Sequence, residues 1–221
     1  RDVRGGRGGG VMIGFARPEI GKTAFYVSLA MAPNGFCGQG ANVHIITNEE
    51  PAKRTMLRAV MAYTGYSKEQ IYMNRSHASE KFTEIAPNIT MLDNVDASIE
   101  WLNKYCANKK PDILIIDQLD KLNVSGTFAR TDEKLREIYL KFREICKRHD
   151  VFGIGISQAS ADAENKTNVT DAMMKNSKMP AAVSEAIRAM RRRSAGVRLV
   201  VAEIKTGTVP IGSITAHRTT N

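Results

Sequence analysis

The segment Ala16-Arg17-Pro18-Glu19-Ile20-Gly21-Lys22-Thr23 has residue types and spacing suited to binding the phosphates of a nucleotide. Successive N–H groups of such a loop, with the N-terminus of a following helix, form a concave positive site for phosphate oxygens. Lys22 would reach the β- and γ-phosphates as a point charge, and the Thr23 hydroxyl would complete the shell of a Mg²⁺ ion. The consensus loop opens with Gly, whereas this chain has Ala16. A small residue fits there because the closest backbone approach comes at Gly21.

The residues around this segment provide the context that a phosphate-binding P-loop requires. Residues 11–15 are a predominantly apolar run that predicts a strand, and residues 24–31 predict a helix. A chance Gly-Lys-Thr in a surface loop is the alternative interpretation. The order strand, loop, Gly-Lys-Thr and helix favours the P-loop.

A second candidate group is the carboxylate of Asp117, which follows four apolar residues, Ile-Leu-Ile-Ile, at 113–116. This pattern predicts a buried strand that carries an acid to its carboxyl end, the end at which open α/β sheets bind ligands. Asp117 would then lie beside Thr23 and hold Mg²⁺ through a water molecule. The alternative, a strand-end Asp that caps a turn, is weakened by the P-loop upstream.

Two further strand ends carry polar groups. Thr47-Asn48-Glu49-Glu50-Pro51 ends one predicted strand, and an acid there can polarise the water that attacks the γ-phosphate. Spacing alone leaves Glu49 and Glu50 as equal candidates, and acids before a helix also stabilise its dipole. Gln158 ends another apolar strand, where it would either sense the γ-phosphate or serve only as a polar strand end.

Apolar strands alternate with amphipathic helices along the chain, which predicts an α/β fold with a mostly parallel twisted sheet covered on both faces. The predicted strands are 42–47, 89–92, 112–117 and 151–157, the predicted helices are 51–63, 97–107 and 132–149, and 197–204 with 211–216 predict a C-terminal hairpin.

The composition of the chain limits its expected domain organisation, partners and cellular compartment. The 221 residues, 43% of them hydrophobic, suit one large domain over 11–221, preceded by a flexible Gly/Arg-rich approach segment over 1–10. The net charge of +9 favours a polyanionic partner. Three scattered cysteines indicate reduced thiols in a cytoplasmic protein, and no apolar run is long enough for a membrane span. The start, directly before the P-loop strand, suggests that a preceding part of the protein is missing.

Together these motifs resemble the RecA-type motor domain of the DnaB-like replicative helicases, which include phage helicases. The resemblance covers about residues 11–216 and rests on Arg-Pro-x-x-Gly-Lys-Thr, Glu-x-Pro, Ile-Ile-Asp-Gln-Leu and Ile-Ser-Gln. It implies a RecA-like P-loop core, hydrolysis of ATP with Mg²⁺, a homo-oligomeric ring (a hexamer), and single-stranded DNA as partner, with primase or loader proteins as further partners. It also implies that Glu49 rather than Glu50 is catalytic, that Asp117 is the Walker B acid and that Gln158 is the sensor.

The resemblance is weaker near the C-terminus. The family carries a Lys-x-Arg pair that reaches the ATP of the neighbouring subunit, and this chain has Lys205 but Gly207 in place of the Arg. Either Arg198 or Arg218 supplies the arginine, or Lys205 acts alone, or the contact is lost. The run at 191–193, Arg-Arg-Arg, is either a solvated basic turn or a binding element.

In the family, loops lining a central channel hold single-stranded DNA by its phosphates, and the corresponding segments here are 121–131 and 159–180. Phe128 is their only aromatic residue, which favours contacts to the DNA backbone over base stacking. Two other functions stay open: a RecA- or KaiC-like ATPase in recombination or signalling, and a non-catalytic nucleotide-binding assembly protein. The predicted DNA-binding cations are Lys121, Arg130, Lys166, Lys175 and Lys178.

Overall fold

The computed structural model describes residues 8–16, 21–158 and 200–204, the last range and residues 15 and 16 by their backbone only. Helices and strands alternate through most of this length. In chain order they are β1 (Val11–Ala16), α1 (Lys22–Met31), β2 (Val43–Thr47), α2 (Ala52–Thr64), α3 (Lys68–Met73), α4 (Arg75–Phe82), β3 (Ile89–Asp93), α5 (Ile99–Lys109), β4 (Ile113–Asp117), α6 (Thr131–His149), β5 (Phe152–Gln158) and β6 (Val200–Ile204).

The strands form one sheet in the order β3-β2-β4-β5-β1-β6. The first five are parallel to one another, and β6 runs antiparallel to β1 at the edge. The strands β2 and β4 are buried along their whole length, which explains the unbroken apolar run at the start of β4 and the mostly apolar sequence of β2. The mostly parallel α/β sheet predicted from the sequence is confirmed. One predicted hairpin strand is present as β6, and 211–216 lie outside the described residues.

Helices cover both faces of the sheet. On one face α5 and α6 bury Leu102, Ile138 and Phe142 against the strands, and on the other α1 and α2 bury Tyr26 and Ala59. The stripe predicted for α6 packs into this core as expected from its helical spacing. Among the helices that the structure describes, none is long and apolar enough to cross a membrane.

Two short helices, α3 and α4, occupy a stretch to which the sequence analysis assigned no structure. Their start does carry a local signal: the Ser67 hydroxyl accepts from the Gln70 N–H at 3.3 Å, and the Gln70 side chain accepts from the Ser67 N–H at 2.8 Å. This reciprocal capping box is recognisable from a Ser followed three residues later by Gln. The helices were missed because few of their residues are buried, so their apolar periodicity is weak.

Candidate nucleotide-binding site

The carboxyl ends of β1, β2, β4 and β5 meet at one edge of the sheet. The register pairs Ala16 with Gln158 across β1 and β5, and Thr47 with Asp117 across β2 and β4. Strands that run in parallel end at the same edge, so segments that are distant in sequence become neighbours. Four of the predicted site elements are therefore brought together by the sheet.

The end of the P-loop has a backbone conformation that favours glycine. Gly21 precedes α1 with φ 92° and ψ 27°, in the left-handed region. A Cβ at Gly21 would meet nothing within 4 Å, so the requirement is conformational rather than steric. Lys22 follows as the first residue of α1 and is 8% exposed. Residues 17–20 of the predicted loop lie outside the described residues.

Asp117 is buried at the end of β4. Its Oδ2 accepts a hydrogen bond from the Tyr26 hydroxyl at 2.9 Å, and its Oδ1 is buried without a hydrogen-bond partner in the described part of the chain. Burial raises the pKa of the Asp117 carboxyl, as does the charge of Glu49, while the Tyr26 hydrogen bond and the charge of Lys22 act in the opposite direction. A buried acceptor that lacks a partner costs stability unless a ligand satisfies it.

The residues around Asp117 fit a Mg²⁺ ion held jointly by protein and phosphates. Magnesium prefers oxygen ligands and is usually bound by one or two protein oxygens together with substrate phosphates and water. The Asp117 Oδ1 supplies such an oxygen, and the Thr23 hydroxyl interacts with the same Tyr26 side chain that binds Asp117. Within 8–16, 21–158 and 200–204 no cluster of three His, Cys, Asp or Glu side chains is arranged to hold a metal by itself.

The two neighbouring glutamates have different partners. The Glu50 carboxylate binds both terminal nitrogens of Arg58, at 2.5 and 3.4 Å. Glu49 instead accepts a hydrogen bond from the side-chain amide of Gln118, and its other oxygen lies 3.9 Å from the Lys121 Nζ. Glu50 is thus engaged with α2, whereas Glu49 is held next to the residue that follows Asp117.

Most of the chain also matches the model of one known protein family. Residues 2–178 match the family model of the DnaB-like helicase C-terminal domain. The chain belongs to this family. The resemblance inferred from the four sequence motifs is therefore confirmed.

Two solved structures share the fold of this DnaB-like helicase domain. One is a DnaB-like replicative helicase, described with its interactions with primase, and the other is the ATPase domain of G40P. Each has 22% sequence identity to this chain and a TM-score of 0.65 over 76% of it. The chain spans only 43% of the first structure's length and 63% of the second's. No curated protein matches the chain significantly.

The structure of this DnaB-like domain adds three residues that the sequence analysis missed. Tyr26 binds Asp117, and Asn48 and Gln118 bind each other across the ends of β2 and β4. The sequence could have indicated Tyr26 as a site residue, because it lies four residues after Lys22 and so shares its helical face. The Asn48–Gln118 pair has no such signal, because its partners are far apart in sequence.

Of the predicted DNA-binding and trans-acting cations, two lie within the described residues. Lys121 ends a short 3-10 turn after β4, and Arg130 pairs with Asp132 at 2.9 Å just before α6. Both side chains are exposed, at 46% and 61%. Lys166, Lys175, Lys178 and Lys205, with the alternatives Arg198 and Arg218 and the 191–193 run, lie outside the described residues.

We expect Asp117→Asn to stabilise the folded domain while abolishing Mg²⁺-dependent ATP turnover. The folded-state pKa of Asp117 is raised, so its ionised form opposes folding once the pH rises above the unfolded value of about 3.9. An Asn keeps an acceptor for Tyr26 without the buried charge. Each kcal/mol gained would raise Tm by about 2–4 °C.

Thermal unfolding of both proteins at pH 7 and at about pH 2.5, more than one unit below the unfolded pKa, checks this expectation. The difference in Tm should be present at neutral pH and vanish in acid, where Asp117 is protonated in both states. Asp96→Asn, an exposed acid three residues after β3, is the matched control and should leave Tm unchanged. A variant that is less stable than wild type at pH 7 would contradict a desolvated carboxylate.

Proposed function

We propose that this DnaB-like helicase domain is the ATP-hydrolysing motor of a ring-forming replicative helicase, of the phage type, that moves along single-stranded DNA. The observation that carries the proposal is the buried Asp117, which has one oxygen without a partner among the described residues and lies at the sheet edge near Lys22, Glu49 and Gln158. A Mg²⁺ ion bound together with ATP would satisfy that oxygen of Asp117 and complete the site. Family membership supports the same activity.

Each site residue has a role in this proposal. The loop from Ala16 to Thr23 would hold the phosphates, with Arg17, Pro18, Glu19 and Ile20 forming its middle. Lys22 would neutralise charge on the β- and γ-phosphates, and Thr23 and Asp117 would hold the Mg²⁺, which supplies further charge neutralisation during phosphoryl transfer. Glu49 would accept a proton from the attacking water, and Gln158 would sense the γ-phosphate.

The assembly is part of the proposal. The ATP site of one subunit would be completed by a cation of the next, with Lys205 the first candidate since Gly207 has no side chain to contribute. A hexameric ring is the assembly proposed. A related helicase is described with primase, so a primase or a loader protein is a proposed partner here. Three free buried cysteines support a reducing compartment, the cytoplasm of the bacterium or infected host.

We expect single-stranded DNA to stimulate ATP turnover and to bind with little sequence preference and a steep dependence on salt. Each phosphate contact adds about 0.7 to the slope of log affinity against log salt for a single strand. Lys121→Ala and Arg130→Ala should therefore each reduce that slope by about 0.7. Lys104→Ala, an exposed lysine on α5, removes the same charge elsewhere and should leave the slope unchanged.

Poly-dT and mixed-sequence strands, titrated at several salt concentrations, provide the measurement. Turnover that DNA does not stimulate would favour the RecA- or KaiC-like alternative, and absence of turnover would favour a nucleotide-binding assembly protein. A flat salt response would contradict binding through DNA phosphates.

A further inference from the structure

Gln118 is a buried polar residue to which the proposed reaction assigns no role. It follows Asp117 directly and is 1% exposed. Its side-chain amide donates a hydrogen bond to the Glu49 Oε2. A polar side chain is buried at little cost only when its hydrogen bonds are made, so this contact is integral to the edge of the sheet.

The backbone of Gln118 is fixed independently of its side chain. The Asn48 side chain donates to the Gln118 carbonyl oxygen at 2.9 Å and accepts from the Gln118 N–H. The Asn48 N–H in turn donates to the Asp117 carbonyl oxygen at 2.8 Å. These three bonds join the ends of β2 and β4, and they hold Gln118 in one place beside the strand that carries Glu49.

Within the described residues, the Glu49 carboxylate has one buried partner, Gln118, and one exposed partner, Lys121. Its side chain is 41% exposed, and the Lys121 Nζ, 3.9 Å away, belongs to a side chain that is 46% exposed. An exposed ion pair of this kind is weak and restricts the geometry of the carboxylate little. Gln118 is the rigid partner, so it decides where the carboxylate lies.

We propose that Gln118 is a positioning residue for Glu49, which orients the Glu49 carboxylate toward the attacking water in ATP hydrolysis. The inference rests on the proposed function, in which Glu49 accepts the proton. A carboxylate has about four lone-pair positions. One hydrogen bond from Gln118 therefore leaves acceptor sites for the water, and the bond removes the rotamer freedom that an exposed Glu would otherwise have.

The test is Gln118→Met, which keeps the length of the side chain, removes the donor and leaves the backbone bonds to Asn48 intact. A misplacement of about 1 Å can cost on the order of 10²-fold in rate. We expect kcat for ATP to fall by about 10–100-fold while KM and the dissociation constant of a fluorescent ATP analogue stay unchanged. Gln39→Met is the control, since among the described residues the exposed Gln39 side chain binds backbone carbonyls of Asn34 and Gly35 and not Glu49.

A double-mutant cycle distinguishes positioning from a purely structural role. In a Glu49→Gln background, Gln118→Met should cause no further loss of single-turnover rate, because there is no carboxylate left to orient. Gln118→Asn, which keeps an amide but is shorter by one methylene, should behave like Gln118→Met in the wild-type background. It also provides the comparison if the Met variant does not fold.

Different results would show that the role of Glu49 is wrong and that the role of Gln118 is wrong. If Glu49→Gln turns over ATP at the wild-type rate, the role of Glu49 is wrong. If Glu49→Gln is inactive while Gln118→Met and Gln118→Asn keep wild-type kcat, only the positioning role is wrong. A loss that is equal in both backgrounds, or a change confined to KM, would likewise overturn the positioning role.

Discussion

Lys22→Ala is expected to abolish ATP hydrolysis and most nucleotide binding. Lys22 lies at the N-terminus of α1, directly after Gly21, and is 8% exposed, so its charge acts in a site with little competing water. Removing one preorganised group that stabilises transition-state charge costs on the order of 10²–10³-fold in kcat. The loss in kcat/KM should be larger still, because the same group also contributes to phosphate binding before the reaction.

The structure adds a second consequence of this substitution. The charge of Lys22 lowers the pKa of the Asp117 carboxyl, which burial raises. Without Lys22 the ionised form of Asp117 is less favoured, and the Mg²⁺ concentration for half-maximal activity should rise in any residual turnover.

Steady-state turnover, binding of a fluorescent ATP analogue and a Mg²⁺ titration provide the measurements. Lys104→Ala again serves as the charge-matched control and should hydrolyse ATP at the wild-type rate. Near wild-type hydrolysis by Lys22→Ala would contradict the P-loop assignment.

Glu49→Gln is expected to retain ATP binding and lose turnover, whereas Glu50→Gln should be mild. The first change removes the proton-accepting carboxylate at constant shape, and loss of a general base costs about 10²–10⁴-fold. The second change weakens a pair with Arg58 in which both side chains are partly exposed, at 41% for Arg58 and 30% for Glu50. Such a pair contributes about 0–1 kcal/mol to stability.

Single-turnover hydrolysis, with the dissociation constant for ATP and the Tm of each variant, checks both halves of this prediction. The two variants control for each other, because each replaces one carboxylate by an amide in adjacent positions. Equal loss from both, or greater loss from Glu50→Gln, would show that the base has been assigned to the wrong glutamate.

Local patterns determined the fold class and the family of this protein. The apolar run of β4 and the mostly apolar sequence of β2 predict buried parallel strands. The spacing of Gly21, Lys22 and Thr23 specifies a loop and helix start within a few residues. Such signals are short-range, so the sequence alone displays them. The motifs at the strand ends then sufficed to predict the DnaB-like family.

Spacing could not choose between Glu49 and Glu50, because both follow the same strand. The resemblance favoured Glu49, and this assignment stays a prediction. The tertiary structure gives each glutamate a different environment: α2 brings Arg58 to Glu50, and the turn after β4 brings Gln118 to Glu49.

Only the tertiary structure decided which side chains surround the catalytic candidates. Tyr26 and Asp117 are 91 positions apart, and Asn48 and Gln118 are 70 apart. A hydrogen bond across such a distance depends on strand order and register, which place β4 beside β2 and stack α1 on the sheet. No local pattern in the sequence indicates these pairings, because the residues next to each partner would be compatible with many different distant partners. The chemical groups of the site can be recognised in the sequence, whereas their orientation is a property of the folded sheet.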